Sequence, residues 1–141
     1  MRSVNRKGNH AERAVKLALE REGYVVLDGR STESAIDLVA FEPTGSLYRL
    51  IEVKARDRVY NLYPKDKRSL ARRAAWCRYR NWPYRLYFIP DSKPQEARIY
   101  VVGDLEPSPG RNGNRLTLYE DGFLDLTLPT GAPRKGEGAS P

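Results

Sequence analysis

Ile36-Asp37-Leu38-Val39-Ala40, then Glu42-Pro43-Thr44-Gly45-Ser46, then Ile51-Glu52-Val53-Lys54, is the stretch that decides the fold. Two apolar runs joined by so short a polar link read as an antiparallel hairpin, with strands at about residues 35–41 and 47–54. Alternate side chains of a strand share a face. Glu52 and Lys54 therefore point one way and Val53 the other, into the core. Pairing with the strand that carries Asp37 brings two carboxylates and an ammonium to one spot. A carboxylate between Ile36 and Leu38 is costly to bury without a cation or several donors. A metal ion meets that need, and so does a structural ion pair. Carboxylate oxygens suit hard divalent cations, and a nearby lysine can stabilise charge developing on a phosphate. These are the residue types that metal-dependent phosphodiester hydrolysis requires. The plainer alternative is a structural ion network on a half-solvated strand pair.

Upstream, residues 1–8 are basic and polar, and are expected to be loose or to face DNA. A helix is expected from near Asn9, with Ala11, Ala14, Val15, Ala18 and Leu19 as its apolar stripe and Gly23 as its stop. Tyr24 to Leu27 reads as a short buried strand, and Asp28 to Ser34 as a loop. Downstream, Pro64 and Asp66 announce a helix over about 65–80. Its core face holds Leu70, Ala71, Ala74, Ala75 and Cys77; Arg68, Arg72, Trp76 and Tyr79 fall near the opposite face. Tyr84 to Ile89 is a strong strand signal, and Ala97 to Val102 reads as another strand. Residues 115–128 read as a hairpin turning at Asp121-Gly122. From Thr130 the chain is Gly, Pro and Ser with almost nothing to bury, so disorder is expected over 130–141. One domain over 1–129 follows. Its expected class is α/β, a central mixed sheet flanked by helices, with an extra C-terminal β-hairpin.

The 141 residues are 40% apolar and 30% charged, enough for one core, and carry a formal charge of +7. That surplus is clustered. From Lys54 to Arg85 eleven Lys and Arg residues face only Asp57 and Asp66, whereas Asp104 to Asp125 leans acidic. Such asymmetry suits a phosphate backbone. The single cysteine, Cys77, excludes an internal disulfide and a multi-cysteine zinc site. The single histidine, His10, excludes a histidine cluster. No segment is apolar enough for a membrane span or a signal peptide, so an intracellular, cytoplasmic protein without a membrane partner is expected.

The order Glu12, Asp37, Glu52-Val53-Lys54 resembles the PD-(D/E)XK nuclease superfamily, which has the restriction-endonuclease-like fold. Within it, Arg6-Lys7-Gly8-Asn9-His10-Ala11-Glu12-Arg13 is similar to the N-terminal signature of archaeal-type Holliday junction resolvases. The resemblance runs to Ile89, about the first two-thirds of the chain. It implies a catalytic set of Glu12, Asp37, Glu52 and Lys54. Asp37 and Glu52 would bind Mg²⁺ (or Mn²⁺) with help from the Val53 carbonyl, Glu12 would complete the acidic cluster, and Lys54 would orient or activate the attacking water. It implies phosphate contacts from Arg13 and Arg30, and a hydroxyl from Ser31, Thr32 or Ser34. Arg6, Lys7, Arg56, Arg68 and Arg72 join the expected DNA surface through their charge. It also implies a homodimer that cleaves four-way DNA junctions in recombination and repair.

Alternatives stand beside these roles. Asn9 and Glu12 have capping-box spacing. Trp76 could stack on unpaired bases, or sit in the core or a dimer interface. Many relatives carry a glutamine near the start of the second helix, where this chain reads Pro64-Lys65-Asp66-Lys67-Arg68; a Lys or Arg must substitute there, or the role is absent. Two rival functions are another nuclease of the superfamily, of restriction or repair type, and a non-catalytic basic DNA-binding module on the same fold.

Overall fold

The computed structural model describes residues 2–29, 36–59, 62–108 and 114–127, with side chains of the first helix from His10 onward. The elements are α1 (Arg2–Arg21), β1 (Val25–Asp28), β2 (Leu38–Phe41), β3 (Leu47–Arg56), α2 (Pro64–Tyr79), β4 (Tyr84–Pro90), β5 (Glu96–Pro107) and β6 (Asn114–Asp125). The six strands form one open sheet in chain order, with β1 and β6 at its edges. β3 and β4 run parallel and every other neighbouring pair is antiparallel. The chain is therefore α/β with a mixed sheet. A parallel pair needs a crossover, and α2 supplies it.

The two helices cover opposite faces. Ala11, Val15, Ala18 and Leu19 of α1 pack on Val26, Leu38, Ile51, Val53 and Tyr87. Leu70, Ala74 and Cys77 of α2 pack on Leu50, Leu86, Phe88 and Val102. β3 runs through the middle, so its alternation assigns each side chain to a layer: Ile51, Val53 and Ala55 go to α1, and Glu52 and Lys54 go to α2. No helix among the described residues is long and apolar enough to cross a membrane.

Several expectations need correction. α1 starts at Arg2 rather than near Asn9. Its basic lead contains good helix formers, and one interior glycine, Gly8, costs only about 1 kcal/mol. Asn9 thus lies inside the helix, which removes the capping-box alternative for Glu12. Asp37 lies one residue ahead of β2 rather than within a strand. Ala75 of α2 is exposed rather than on the core face.

Asp121-Gly122 is not a turn. Both residues lie inside β6, where they stand opposite Ile99 alone, because Arg98 pairs Phe123 and Tyr100 pairs Glu120. That is a β-bulge, and the positive φ of Gly122 (104°) suits it. The C-terminal hairpin is formed instead by β5 and β6, whose connection at 109–113 falls outside the described residues. The expected tail over 130–141 also lies outside them.

Candidate active site

The site begins where β2 and β3 part. Asp37 occupies a bend just before β2, and the Gly29 N–H donates to its carbonyl at 2.8 Å. A Cβ on Gly29 would stand 1.8 Å from the Ile36 carbonyl oxygen. Only glycine lets β1 approach this entry so closely. The Asp37 Oδ2 accepts the Val53 N–H at 2.8 Å, which fixes its carboxylate against β3.

Glu52 is next to it and is 3% exposed, the one charged side chain in the buried set among the described residues. Its Oε1 accepts hydrogen bonds from Arg73 Nη1 at 3.0 Å and from the Tyr84 hydroxyl at 3.3 Å. Burial pushes the Glu52 carboxyl up to about 8, and the neighbouring charge of Asp37 pushes the same way; Arg73, and more weakly Lys54, oppose them. Burial also raises the Tyr84 hydroxyl, so it stays a donor. The adjacency of Asp37 and Glu52 is thus written in the electrostatics as well as in the register.

Lys54, two residues on, also turns toward α2. Its Nζ meets Asp66 Oδ1 at 3.4 Å, while Arg56 Nη2 meets Asp66 Oδ2 at 3.3 Å. Asp66 lies in the first turn of α2 behind Pro64, where a carboxylate is favoured by the helix dipole.

The structure therefore brings Asp37, Glu52 and Lys54 to one end of the β2–β3 pair. Glu12 is half-buried on α1, next to Ala11 of the stripe that packs on Ile51 and Val53. Among the described residues no three His, Cys, Asp or Glu side chains gather closely enough to hold a metal ion together. Asp37 and Glu52 are the two adjacent carboxylates that could share a hard divalent cation, whose charge would offset their mutual repulsion.

Of the expected DNA contacts, Arg13, Arg68, Arg72 and Trp76 are exposed, and Arg56 is committed to Asp66. For Arg6 and Lys7 only the α1 backbone is described. Arg30, Ser31, Thr32 and Ser34 lie outside the described residues. Four residues of the site escaped the sequence reading: Gly29, Asp66, Arg73 and Tyr84. Arg73 had a signal, since it interrupts the core stripe of Leu70, Ala74 and Cys77 with a charge. Asp66 had one too, as the only carboxylate in α2. It occupies the region where the resemblance expects a glutamine, and it is this acidic side chain, not a Lys or Arg, that reaches Lys54. Family models, curated proteins and solved structures give no match to this chain.

Proposed function

We propose that this chain is a metal-dependent DNA endonuclease of the PD-(D/E)XK type, with the restriction-endonuclease-like fold, cleaving four-way junctions by phosphodiester hydrolysis. The observation that carries the reading is the buried Glu52 carboxyl beside Asp37, with Lys54 on the same face of the same strand. The order of elements supports it: a helix, three antiparallel strands, a crossover helix and a parallel strand follow the chain in the sequence of the resemblance.

Asp37 and Glu52, with the Val53 carbonyl, would hold Mg²⁺ or Mn²⁺. When bound, such an ion lowers the pKa of water and neutralises charge on the scissile phosphate. The rest falls to the chain itself. The Val53 N–H keeps the Asp37 carboxylate aimed at the site. Arg73 and Tyr84 fix the position of Glu52 through its Oε1. Lys54, tethered by Asp66, presents its ammonium to the phosphate and orients the water. In-line attack by that water breaks the bond to the 3′ oxygen and leaves a 5′-phosphate. The resemblance gives Glu12 a place in this set, tested by E12Q. A homodimer would present two such sites to two equivalent strands.

The experiment is cleavage of end-labelled four-way junction, flap, duplex and single strand, with Mg²⁺ and with chelator. Mg²⁺-dependent cutting of the junction, and little of linear duplex, is the expected result. Equal cutting of duplex would move the reading to a restriction- or repair-type nuclease. The β5–β6 extension, which lies beyond the resemblance, gives that second reading its footing. Junction binding with no cutting under any divalent ion would leave a non-catalytic DNA-binding module.

A further inference from the structure

Trp76 and Trp82 are the only two tryptophans of the chain, and they meet edge to face, with ring centroids 5.3 Å apart. The chain builds this contact deliberately. Asn81 takes a left-handed conformation (φ 59°) just beyond α2. The Trp82 N–H then returns to the Cys77 carbonyl at 2.9 Å, which folds the second indole back on the first. Arg80 lies over Trp76 with its guanidinium carbon 3.9 Å from the ring centroid, and within about 6 Å of the Tyr79 and Trp82 rings. Its Nη1 donates to the Trp76 carbonyl at 3.2 Å.

These rings are not core. Trp76 is 46% exposed, Trp82 40% and Tyr79 87%. So much aromatic surface left in water marks an interaction site. A cleft of about 330 Å³ opens beside Trp82, between Arg78, Pro83 and Val101.

Charge says what kind of partner fits. Arg68, Arg72 and Trp76 follow one another at intervals of four along the exposed side of α2, a line of about 12 Å at 1.5 Å per residue. Arg56, Arg73, Arg78 and Arg85 each have a carboxylate partner. Among the described residues Arg68, Arg72 and Arg80 have none. Under two-fold symmetry a second copy would set these same uncompensated arginines against one another, which opposes self-association here. A phosphate backbone with free bases matches both halves of the surface: phosphates for the arginines, π-faces for the rings. Bases inside a duplex are already stacked and cannot reach the rings.

We propose that Trp76, Tyr79 and Trp82, with Arg80, form a stacking site for unpaired bases of DNA where its strands separate. The choice of DNA rests on the nuclease reading; the site itself needs no metal ion and is separate from the Asp37–Glu52 pair.

The test uses the full chain in chelator, so that nothing is cut. Intrinsic tryptophan fluorescence reports this cluster alone, because it contains both tryptophans. The probes are an oligothymidylate of about a dozen nucleotides, an abasic strand of equal length and a duplex. Oligothymidylate should quench the emission, and the other two should leave it nearly unchanged. By anisotropy, Tyr79→Ala and Trp82→Ala should each weaken oligothymidylate binding about tenfold. Trp82→Phe should retain most of the affinity, and abasic-strand affinity should not move in any variant. Tyr79 is so exposed that its loss leaves folding intact, which circular dichroism checks for both variants.

Equal quenching by the abasic strand, or unchanged oligothymidylate affinity in both alanine variants, would overturn the proposal. So would a dimer, seen by sedimentation, that Trp82→Ala dissolves. Base-dependent quenching without any junction cleavage would sink the nuclease reading and leave the stacking site standing. The converse would sink the stacking site alone.

Discussion

Glu52 is held where its charge is costly and its proton is not. In the unfolded chain its carboxyl would titrate near 4.5, and in the fold it is raised to about 8, by burial first and by Asp37 second. Between those values the folded state holds a proton that the unfolded state has lost. Stability contributed by this group is therefore complete below the lower value and falls as pH rises toward the upper one. The fall amounts to roughly 4 kcal/mol for an ion-free protein. Thermal unfolding in chelator should show a melting temperature that declines from acid to pH 8. Glu52→Gln should flatten that decline, and Mg²⁺ should oppose it by holding the ionised carboxylate.

Arg73 opposes that rise and donates to Glu52 Oε1 at 3.0 Å. Below about 8 the acceptor is a neutral carboxyl, so losing the hydrogen bond costs about 1 kcal/mol. Arg73→Met should lose that much in urea unfolding, and adding Glu52→Gln should recover part of it. Of this residue-scale chemistry, the shared direction of Glu52 and Lys54 was legible from strand alternation alone. The answering groups were not, because Asp66, Arg73 and Tyr84 reach the site across the α2 layer and the β4 neighbour, which no local pattern encodes.

At the scale of elements, the entry to β2 is the sensitive joint. Gly29→Ala would drive a Cβ into the backbone of Ile36, which cannot yield as a side-chain tip could. The expected loss is about 1–3 kcal/mol in urea unfolding. Because the Gly29 N–H holds the Asp37 carbonyl, activity should fall further than stability explains. The hairpin of β2 and β3 was readable from its apolar runs and its Glu42–Ser46 link. The last hairpin is not legible from Asp121-Gly122, because Asp-Gly serves a bulge as well as a turn: both suit the positive φ of glycine, and the carboxylate of Asp121 is engaged by Arg85 at 2.7 Å. The start of α1 is hidden for a related reason, since Asn caps helices but also occurs within them.

Across the whole molecule, the basic face is α2 and the strand ends beside it, while α1 covers the far side of the sheet. Clustered charge along the chain anticipated the basic helix. Which face each helix covers could not be anticipated, because sequence order carries no information on it. If the unpaired arginines of α2 contact phosphates, junction affinity should fall steeply with salt, and Arg68→Ala and Arg72→Ala should each reduce the slope by about one.

The most direct measurement follows cleavage and binding of one labelled four-way junction in parallel, with Mg²⁺, for the unaltered protein and for Asp37→Asn. The unaltered protein should cut it. The variant should bind at least as tightly, having lost a negative charge beside phosphate, and cut at least about a hundredfold more slowly. Cutting by Asp37→Asn at the unaltered rate, or no Mg²⁺-dependent cutting of any branched DNA by the unaltered protein, would contradict the assignment.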